Sequence, residues 1–241
     1  MTGTKLDEAH WTEVAEQWIA WARLPDHDAF WAYRDNFTRF VGFGSGRVLE
    51  VGCGEGRISR ELKALGYRVT ATDAVAAMVE AARQADSAEE YRVAGAGALP
   101  FADAQFDLVM AYNVLMDIED VPAALREMRR VMKRDGVLFI SLVHPFRDRG
   151  RFAGPEPDAP FVVEGSYFGR ERFEGEERHG GLTMHFAGWS QPLEDYMAAL
   201  EQAGLAVVAL REPVPDDTAD DRLRSYRRIP LFLWLKARAL G

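Results

Sequence analysis

The sequence is poor in cysteine, has no long apolar run and carries no excess of positive charge. A single cysteine, Cys53, excludes a disulfide framework and a zinc site built from four cysteines. The longest apolar run covers residues 231–235, far short of the ~20 residues that a membrane-spanning helix needs. No apolar stretch follows a basic head at the start of the chain, so no signal peptide is expected. These absences predict a cytoplasmic protein without a membrane partner.

The charge balance argues against nucleic acid as a partner. The formal net charge is −9 at pH 7, whereas domains that neutralise phosphates usually carry a positive surface. The local cluster of arginines between Arg222 and Arg238 is interpreted as a solvated face. We therefore expect no nucleic-acid partner.

Length and composition predict a globular chain. The 241 residues allow one or at most two domains at ~150 residues each. Apolar residues make up 48% of the chain and aromatic residues 11%, which excludes a disordered protein.

Strand and helix patterns alternate along most of the chain. Strands are predicted at 47–51, 68–72, 106–111, 137–143, 205–210 and 229–235, and helices at 57–65, around 78–82, after Asp120 and at 192–203. Helical spacing also runs from Trp11 to Val41, interrupted at Pro25, where Asp26 is predicted to cap a second helix. The stretch 146–188 is rich in glycine and proline, which indicates an insertion of antiparallel strands and loops. The alternation predicts an α/β fold with a parallel sheet covered on both faces.

A glycine loop follows the first of these strands. Gly52, Gly54 and Gly56 stand between a predicted strand and a predicted helix, so a ligand can lie against bare backbone. A dinucleotide fingerprint would need its third glycine at position 57, where the chain has Arg57. The spacing therefore disfavours NAD and FAD.

An acidic residue ends the second predicted strand. Asp73 follows the glycines by about 20 residues, and in an open parallel sheet its carboxylate would lie beside them and accept both hydroxyls of a ribose. The alternative is that Asp73 caps the helix that follows. The glycine loop in front of it favours ribose binding.

The segment from Glu50 to Gly56 resembles the first signature of class I S-adenosylmethionine-dependent methyltransferases. Outside the signature segments, the aromatic N-terminal helices and the inserted cap resemble small-molecule methyltransferases of the methyltransferase-11 type. Three further pieces match the family in order: Asp73 with Met78, then residues 98–101 before 106–109, then residues 125–127 through 134–136. The resemblance therefore covers about residues 47–143. The cofactor-binding residues that it implies are Glu50, Gly52, Cys53, Gly54, Gly56, Asp73, Ala74, Met78, Gly95, Ala96, Gly97 and Asn113.

The resemblance implies a role for most of these residues. The glycines would lie along the methionine part of S-adenosylmethionine, with the loop oriented by Glu50, and Asp73 would hold the ribose. Ala74 and Met78 would flank the adenine, and Asn113 would approach the amino group and the sulfonium. The family usually has an aspartate four residues before Leu-Pro-Phe, where this chain has Gly95. Backbone groups of residues 95–97 would then read the adenine edge.

By the same resemblance, residues 1–241 form a single methyltransferase domain. Its fold would be a Rossmann-like, doubly wound, mostly parallel sheet of seven strands. Residues 1–45 would form an N-terminal helical lid, 46–145 the cofactor-binding core, 146–190 an inserted antiparallel cap over the substrate, and 191–241 the C-terminal helix and strands.

One histidine is the leading candidate for a catalytic base. His144 follows the fifth predicted strand, at the sheet edge where such folds bind ligands, and its usual pKa suits proton transfer. Pro145 supports the alternative of a structural His-Pro turn. His10, His27 and His179 are expected at the surface, and no spacing of ligands implies a metal.

Aromatic residues concentrate in the two parts that flank the core. Many belong to the core itself, but these parts are also free to cover a ligand crevice, and an aromatic pocket favours a flat, apolar small molecule. The expected acceptor-binding residues are Trp18, Trp21, Tyr33, Tyr112, Tyr167, Phe168, His185 and Trp189.

These features predict an S-adenosylmethionine-dependent enzyme that methylates oxygen, nitrogen or carbon of a small metabolite or natural product. An RNA or protein methyltransferase is an alternative, although the negative charge offers no basic docking face. A protein that binds the cofactor without catalysis is another, which Gly95 favours. A monomer or homodimer is expected.

Overall fold

The computed structural model describes residues 4–24, 27–156, 158–216 and 221–240 of the chain. The central sheet has seven strands: β1 (Arg47–Val51), β2 (Arg68–Asp73), β3 (Glu90–Val93), β4 (Phe106–Tyr112), β5 (Met132–Val143), β10 (Leu205–Arg211) and β11 (Phe232–Ala239). Their order across the sheet is β10-β11-β5-β4-β1-β2-β3. β1 to β5 pair in parallel, and β11 is antiparallel to both of its neighbours. The predicted α/β class with a mostly parallel seven-stranded sheet is confirmed.

Seven α-helices, four short 3₁₀ helices and two hairpins complete the described structure. The α-helices are α1 (Thr4–Glu13), α2 (Ala15–Ala22), α3 (Arg34–Val41), α4 (Arg57–Ala64), α5 (Ala76–Gln84), α6 (Val121–Val131) and α7 (Leu193–Gln202). One hairpin pairs β6 (Gly150–Phe152) with β7 (Phe161–Val163), and the other pairs β8 (Glu171–His179) with β9 (Leu182–Ser190). The antiparallel insertion is thus confirmed. None of the helices in the described ranges is long and apolar enough to cross a membrane.

Helices cover both faces of the sheet. Because successive side chains of a strand point to opposite faces, both sets of side chains are buried. On one face, Leu49 and Leu138 pack among residues of α6 and α7. On the other face, Val48 and Phe139 pack against Phe37 of α3 and residues of α4. This two-sided burial explains the nearly continuous apolar runs of the central strands.

Some predicted boundaries differ from the structure. The last strand begins at Phe232 rather than 229, because Pro230 has no N–H to donate to the ladder. Strand β3 was not predicted: it has four residues and lies at the sheet edge with little apolar alternation. The N-terminal helical pattern is broken at Val14, and Asp26 lies outside the described residues. Asp28 caps the next turn instead, accepting a hydrogen bond of 2.7 Å from Phe30 N.

The β8–β9 hairpin packs against the N-terminal helices. Met184 of β9 is fully buried against Val14 and Trp21. Phe186 of β9 meets Trp18 and Trp21 edge to face, with ring centroids 6.3 and 6.4 Å apart. The inserted hairpin and the N-terminal segment therefore form one continuous wall above the carboxyl ends of the parallel strands.

Candidate active site

The glycine loop connects β1 to α4 and requires glycine for two reasons. Gly52 and Gly56 have φ of 72° and 90°, in the left-handed region that favours glycine. A Cβ on Gly52 would lie 2.3 Å from Val114 Cγ2, and one on Gly56 would lie 2.3 Å from Ser87 Oγ. Cys53 N donates a 2.8 Å hydrogen bond to Thr72 O, which ties the loop to the end of β2.

Asp73 lies at the end of β2 and holds the glycine loop directly. Its Oδ2 accepts a hydrogen bond of 2.9 Å from Gly54 N, and its Oδ1 accepts one of 2.9 Å from Val75 N. Burial raises the pKa of Asp73, and the backbone hydrogen bonds oppose that shift. Because each carboxylate oxygen has further lone-pair capacity, Asp73 can also accept from a ligand hydroxyl.

Glu50 is a buried acid beneath the same loop. Ser59 Oγ of α4 donates a hydrogen bond to its carboxylate, and Thr72 Oγ1 donates one of 2.9 Å to its backbone carbonyl. Burial raises the pKa of Glu50 to about 8, while the Ser59 hydrogen bond lowers it. Glu50 therefore links β1, β2 and α4 at the base of the loop.

Arg57 is a buried cation at the start of α4. Its Nη1 lies 2.9 Å from Asp28 Oδ1, and its side chain is only 9% exposed. The guanidinium lies 4.8 Å from the ring centroid of Phe30 and 5.8 Å from that of Trp18. Nε and Nη1 lack a hydrogen-bond partner of good geometry within the described residues. The sequence drew attention to this position only as a departure from a dinucleotide fingerprint.

A cavity of about 1220 Å³ joins these groups to the flanking parts. It begins at the glycine loop, Asp73 and residues 94–97, passes Asn113, and reaches α2, β8 and residues 222–226. Asn113 has a φ of 52°, and its Oδ1 accepts a 2.6 Å hydrogen bond from Ser141 Oγ. A non-glycine residue in the left-handed backbone conformation is strained, and such strain is common at functional sites.

The structure brings most of the expected cofactor residues to this cavity. Gly56 is the exception, since it serves as the N-cap of α4 and does not line the cavity. The residues that line it are Glu50, Gly52, Cys53, Gly54, Asp73, Ala74, Met78, Gly95, Ala96, Gly97 and Asn113.

The expected acceptor residues divide into two groups. Trp18, Trp21 and Tyr112 line the cavity. The structure does not bring the other five, Tyr33, Tyr167, Phe168, His185 and Trp189, to it.

Each of these five has a physical reason for its position. Tyr33 is fully buried in the core, and Phe168 is 72% exposed. The Tyr167 hydroxyl accepts a 3.0 Å hydrogen bond from Leu193 N. His185 and Trp189 point to the outer face of the hairpin, where His185 Nε2 lies 3.4 Å from Glu176 and the Trp189 ring lies beneath Arg170.

The structure does not bring His144 to the cavity either. Its Nε2 lies 3.0 Å from Glu212 Oε1, and its Nδ1 accepts a 3.2 Å hydrogen bond from Phe146 N. Burial lowers the pKa of His144, and Glu212 opposes that shift. Nδ1 is thus engaged within the turn and Nε2 by the distant Glu212, which favours the structural His-Pro interpretation over the catalytic one.

Two histidines expected at the surface line the cavity instead. The rings of His27 and His179 have centroids 4.6 Å apart, and His27 is buried. His27 Nε2 lies 3.0 Å from the carbonyl oxygen of His179. Because a carbonyl only accepts, Nε2 carries the hydrogen of this bond. The sequence held no local signal for a pair separated by 152 residues.

Comparisons with known proteins agree with this geometry. A parallel sheet with a glycine loop after β1 and an acid after β2 is the arrangement of a nucleoside-binding Rossmann-like fold. Residues 49–140 match the family described as "Methyltransferase domain". Over these residues the chain is similar to methyltransferase domains.

Curated relatives and solved structures are similar over different lengths. A malonyl-[acyl-carrier protein] O-methyltransferase from Serratia marcescens is 37% identical over 112 residues, which are 45% of this chain and 44% of that protein. A ubiquinone biosynthesis O-methyltransferase from Bartonella quintana is 28% identical over 117 residues, 47% of each chain. The chain thus spans less than half the length of these relatives. An S-adenosylmethionine-dependent methyltransferase structure from Mesorhizobium loti aligns with a TM-score of 0.67 and 24% identity, covering 89% of this chain and all of that one.

Proposed function

We propose that the protein transfers the methyl group of S-adenosylmethionine to a small-molecule acceptor. The observation that carries the proposal is that one continuous cavity joins the glycine loop and Asp73 to an aromatic wall formed by α2 and the β8–β9 hairpin. One end of the cavity has the groups that a nucleoside cofactor needs. The other end is aromatic, as small-molecule pockets commonly are.

The residues present fit the cofactor. Asp73 keeps lone-pair capacity for a ribose, and the glycine loop leaves backbone open to the cavity. The buried guanidinium of Arg57, whose Nε has no hydrogen-bond partner within the described residues while Nη1 pairs with Asp28, suits a carboxylate such as that of the methionine part. Ala74 and Met78 would flank the adenine, whose edge would meet the backbone of residues 95–97.

When bound, S-adenosylmethionine supplies a methyl group on an already activated sulfonium. The protein then contributes alignment and exclusion of water, and proximity and orientation alone can supply ~7–11 kcal/mol of the barrier. Trp18 and Trp21 of α2 would position a flat acceptor against the cofactor end of the cavity. No role for His144 is needed in this step.

The proposal also assigns a role to each part of the chain. Residues 1–45 would act as a lid and 146–190 as a cap, beside the core at 46–145 and the C-terminal part at 191–241. The relatives named above act on a carrier-bound malonyl group and in ubiquinone biosynthesis, which favours a small acceptor group here. We propose a cytoplasmic monomer or homodimer without a nucleic-acid partner.

Two measurements test the proposal. Denaturing the freshly purified protein and recording a mass spectrum of the released small molecules should reveal S-adenosylmethionine or S-adenosylhomocysteine. Incubation with methyl-labelled cofactor and a bacterial metabolite extract should place label in a small molecule. Label found only in RNA or protein would overturn the acceptor class. Binding of the cofactor with no label in any acceptor would support a non-catalytic binding protein.

A further inference from the structure

The acceptor end of the cavity is lined with an excess of carboxylates. Among the described residues, the cavity as a whole is lined by twelve aspartates and glutamates, four arginines and no lysine. Glu50, Glu55 and Asp73 lie at the glycine loop, and Asp28 pairs with Arg57 beside it. Glu174 and Glu176 have the outer-face register of the hairpin and pair with Arg172 and Arg178. The remaining acids of the cavity are Glu8, Asp117, Glu119, Asp148, Glu177 and Asp216. A cleft lined by one sign of charge concentrates ligands of the opposite sign.

Glu177 is one of these acids and lies on the inner face of the hairpin. It pairs in register with Met184, and the neighbouring inner-face pair is Gly175 with Phe186. Met184 and Phe186 pack against α2, so strand alternation places Glu177 on the same side. Its carboxylate has no ion pair or hydrogen bond with any described residue. Burial lowers the pKa of the Arg147 guanidinium, but Tyr226, Asp148 and, with the smallest contribution, Glu177 raise it overall.

Asp148 is a second acid on the cavity wall and is mostly buried. Its side chain is 12% exposed, and its nearest cation is Arg147 Nη1, at 3.8 Å from Oδ1. No hydrogen bond to this carboxylate exists within the described residues. Arg147 is already engaged by the Tyr226 hydroxyl, with Nε and Nη2 at 3.3 and 3.2 Å. Arg149 also acts on Asp148, but its Nη1 pairs with Glu171 Oε2 at 2.8 Å. Two guanidiniums are therefore shared among three carboxylates, Asp148, Glu171 and Glu177, and a net negative charge remains.

Aromatic rings surround the same space. Trp11, Trp18, Trp21, Phe173, Phe186 and Tyr226 all line the cavity. Carboxylates combined with aromatic faces suit a cation, because the ring faces attract positive charge and the acids accept its N–H groups. A carboxylate ligand would instead meet like charges.

We propose that the acceptor is an amine carried on an alkyl chain beside an aromatic ring, held as its ammonium form by Glu177 and Asp148, and that the methyl group is transferred to nitrogen. The proposal rests on the function proposed above. The bound ammonium gives one proton to a cavity carboxylate, which later releases it to water. The nitrogen lone pair then forms a bond to the methyl carbon while the carbon–sulfur bond breaks, and the sulfur keeps that electron pair.

Two probes of similar size and opposite charge test the proposal. 2-Phenylethylamine and 3-phenylpropionate share a phenyl ring and a short chain, and each would be titrated by calorimetry into protein saturated with S-adenosylhomocysteine. We expect the amine to bind at least about 10-fold more tightly than the acid. Glu177→Gln and Asp148→Asn should each weaken amine binding by about 10-fold, since each removes a charged hydrogen-bond acceptor.

The controls separate this proposal from the proposed function. S-Adenosylhomocysteine binding is measured first, and its absence would be a failure of the proposed function. Glu194→Gln removes an equal charge from α7, away from the cavity, and should leave the amine preference unchanged. Glu177 is exposed, so its variant keeps the test valid if Asp148→Asn does not fold. Equal or tighter binding of the acid, binding of neither probe, or an unchanged preference in Glu177→Gln would overturn the proposal.

Discussion

At the scale of single residues, Asp73 combines a structural and a proposed binding role. Its carboxylate accepts hydrogen bonds from the backbone N–H groups of Gly54 and Val75 and lines the cavity. We predict that Asp73→Ala weakens binding of S-adenosylhomocysteine by about 10- to 150-fold, because a hydrogen bond to a charged group contributes ~1.5–3 kcal/mol. Calorimetry checks this, with Asp195→Ala on the surface of α7 as a control. An unchanged affinity would remove Asp73 from the ribose site.

Arg57 has a test that depends on which part of the cofactor it holds. If the guanidinium binds the methionine carboxylate, Arg57→Lys should weaken S-adenosylhomocysteine binding by about 10-fold or more, because a point charge replaces a planar fork of donors. Adenosine lacks that carboxylate, so its affinity should be the same in the variant and the original protein. Calorimetric titrations of both ligands decide the question. Equal losses for the two ligands would mean that Arg57 acts through the loop structure instead.

At the scale of elements, Glu50 joins β1 to α4 and makes stability depend on pH. Burial raises its pKa from 4.5 to about 8 in the folded protein. The folded state therefore keeps a proton that the unfolded chain releases near pH 4.5, and the free energy of unfolding falls as pH rises from 4.5 to 8.

We predict that Glu50→Gln removes this part of the pH dependence, since glutamine has no proton to release. Urea unfolding of both proteins at pH 5 and pH 8 measures the effect. The difference between the two pH values should be smaller in Glu50→Gln than in the original protein. Glu80→Gln, on the exposed side of α5, serves as the control. The same pH dependence in Glu50→Gln and the original protein would contradict the assignment.

Local signals in the sequence predict the core elements well. The strand at 47–51, the glycine loop and the Asp120 cap, which accepts a hydrogen bond from Ala123 N, depend on residues close in sequence. The outward orientation of His185 and Trp189 depends on the register of β8 and β9, which is set by the turn at Gly180 and Gly181. A shift of one residue would have turned both side chains inward, so aromatic content alone could not predict their side.

Contacts between distant parts of the chain could not be predicted from the sequence either, because they depend on how separate segments pack together. The ion pair of Arg57 with Asp28 and the contact of His27 with His179 each need the N-terminal segment to pack on the rest of the molecule. Neither pair has a local motif. Part of the candidate site was thus predictable from the glycine loop and Asp73, whereas the acceptor wall was not.

At the scale of the whole molecule, one wall made of α2 and the β8–β9 hairpin covers the cavity. We predict that S-adenosylhomocysteine slows hydrogen exchange in residues 11–24 and 171–190 as well as in the glycine loop, because parts that exclude water from a ligand lose local opening. Mass spectrometry of peptides measures this. Protection restricted to the loop and to Asp73 would indicate a rigid wall and a preformed cleft.

The central claim is that one end of this cavity binds S-adenosylmethionine. The most direct test is calorimetric titration of the protein with S-adenosylmethionine, S-adenosylhomocysteine and NADH under the same conditions. The account predicts saturable micromolar binding of the first two and no heat with NADH, since Arg57 stands where a dinucleotide fingerprint needs glycine. Binding of NADH, or no binding of either sulfur-containing nucleoside, would contradict it.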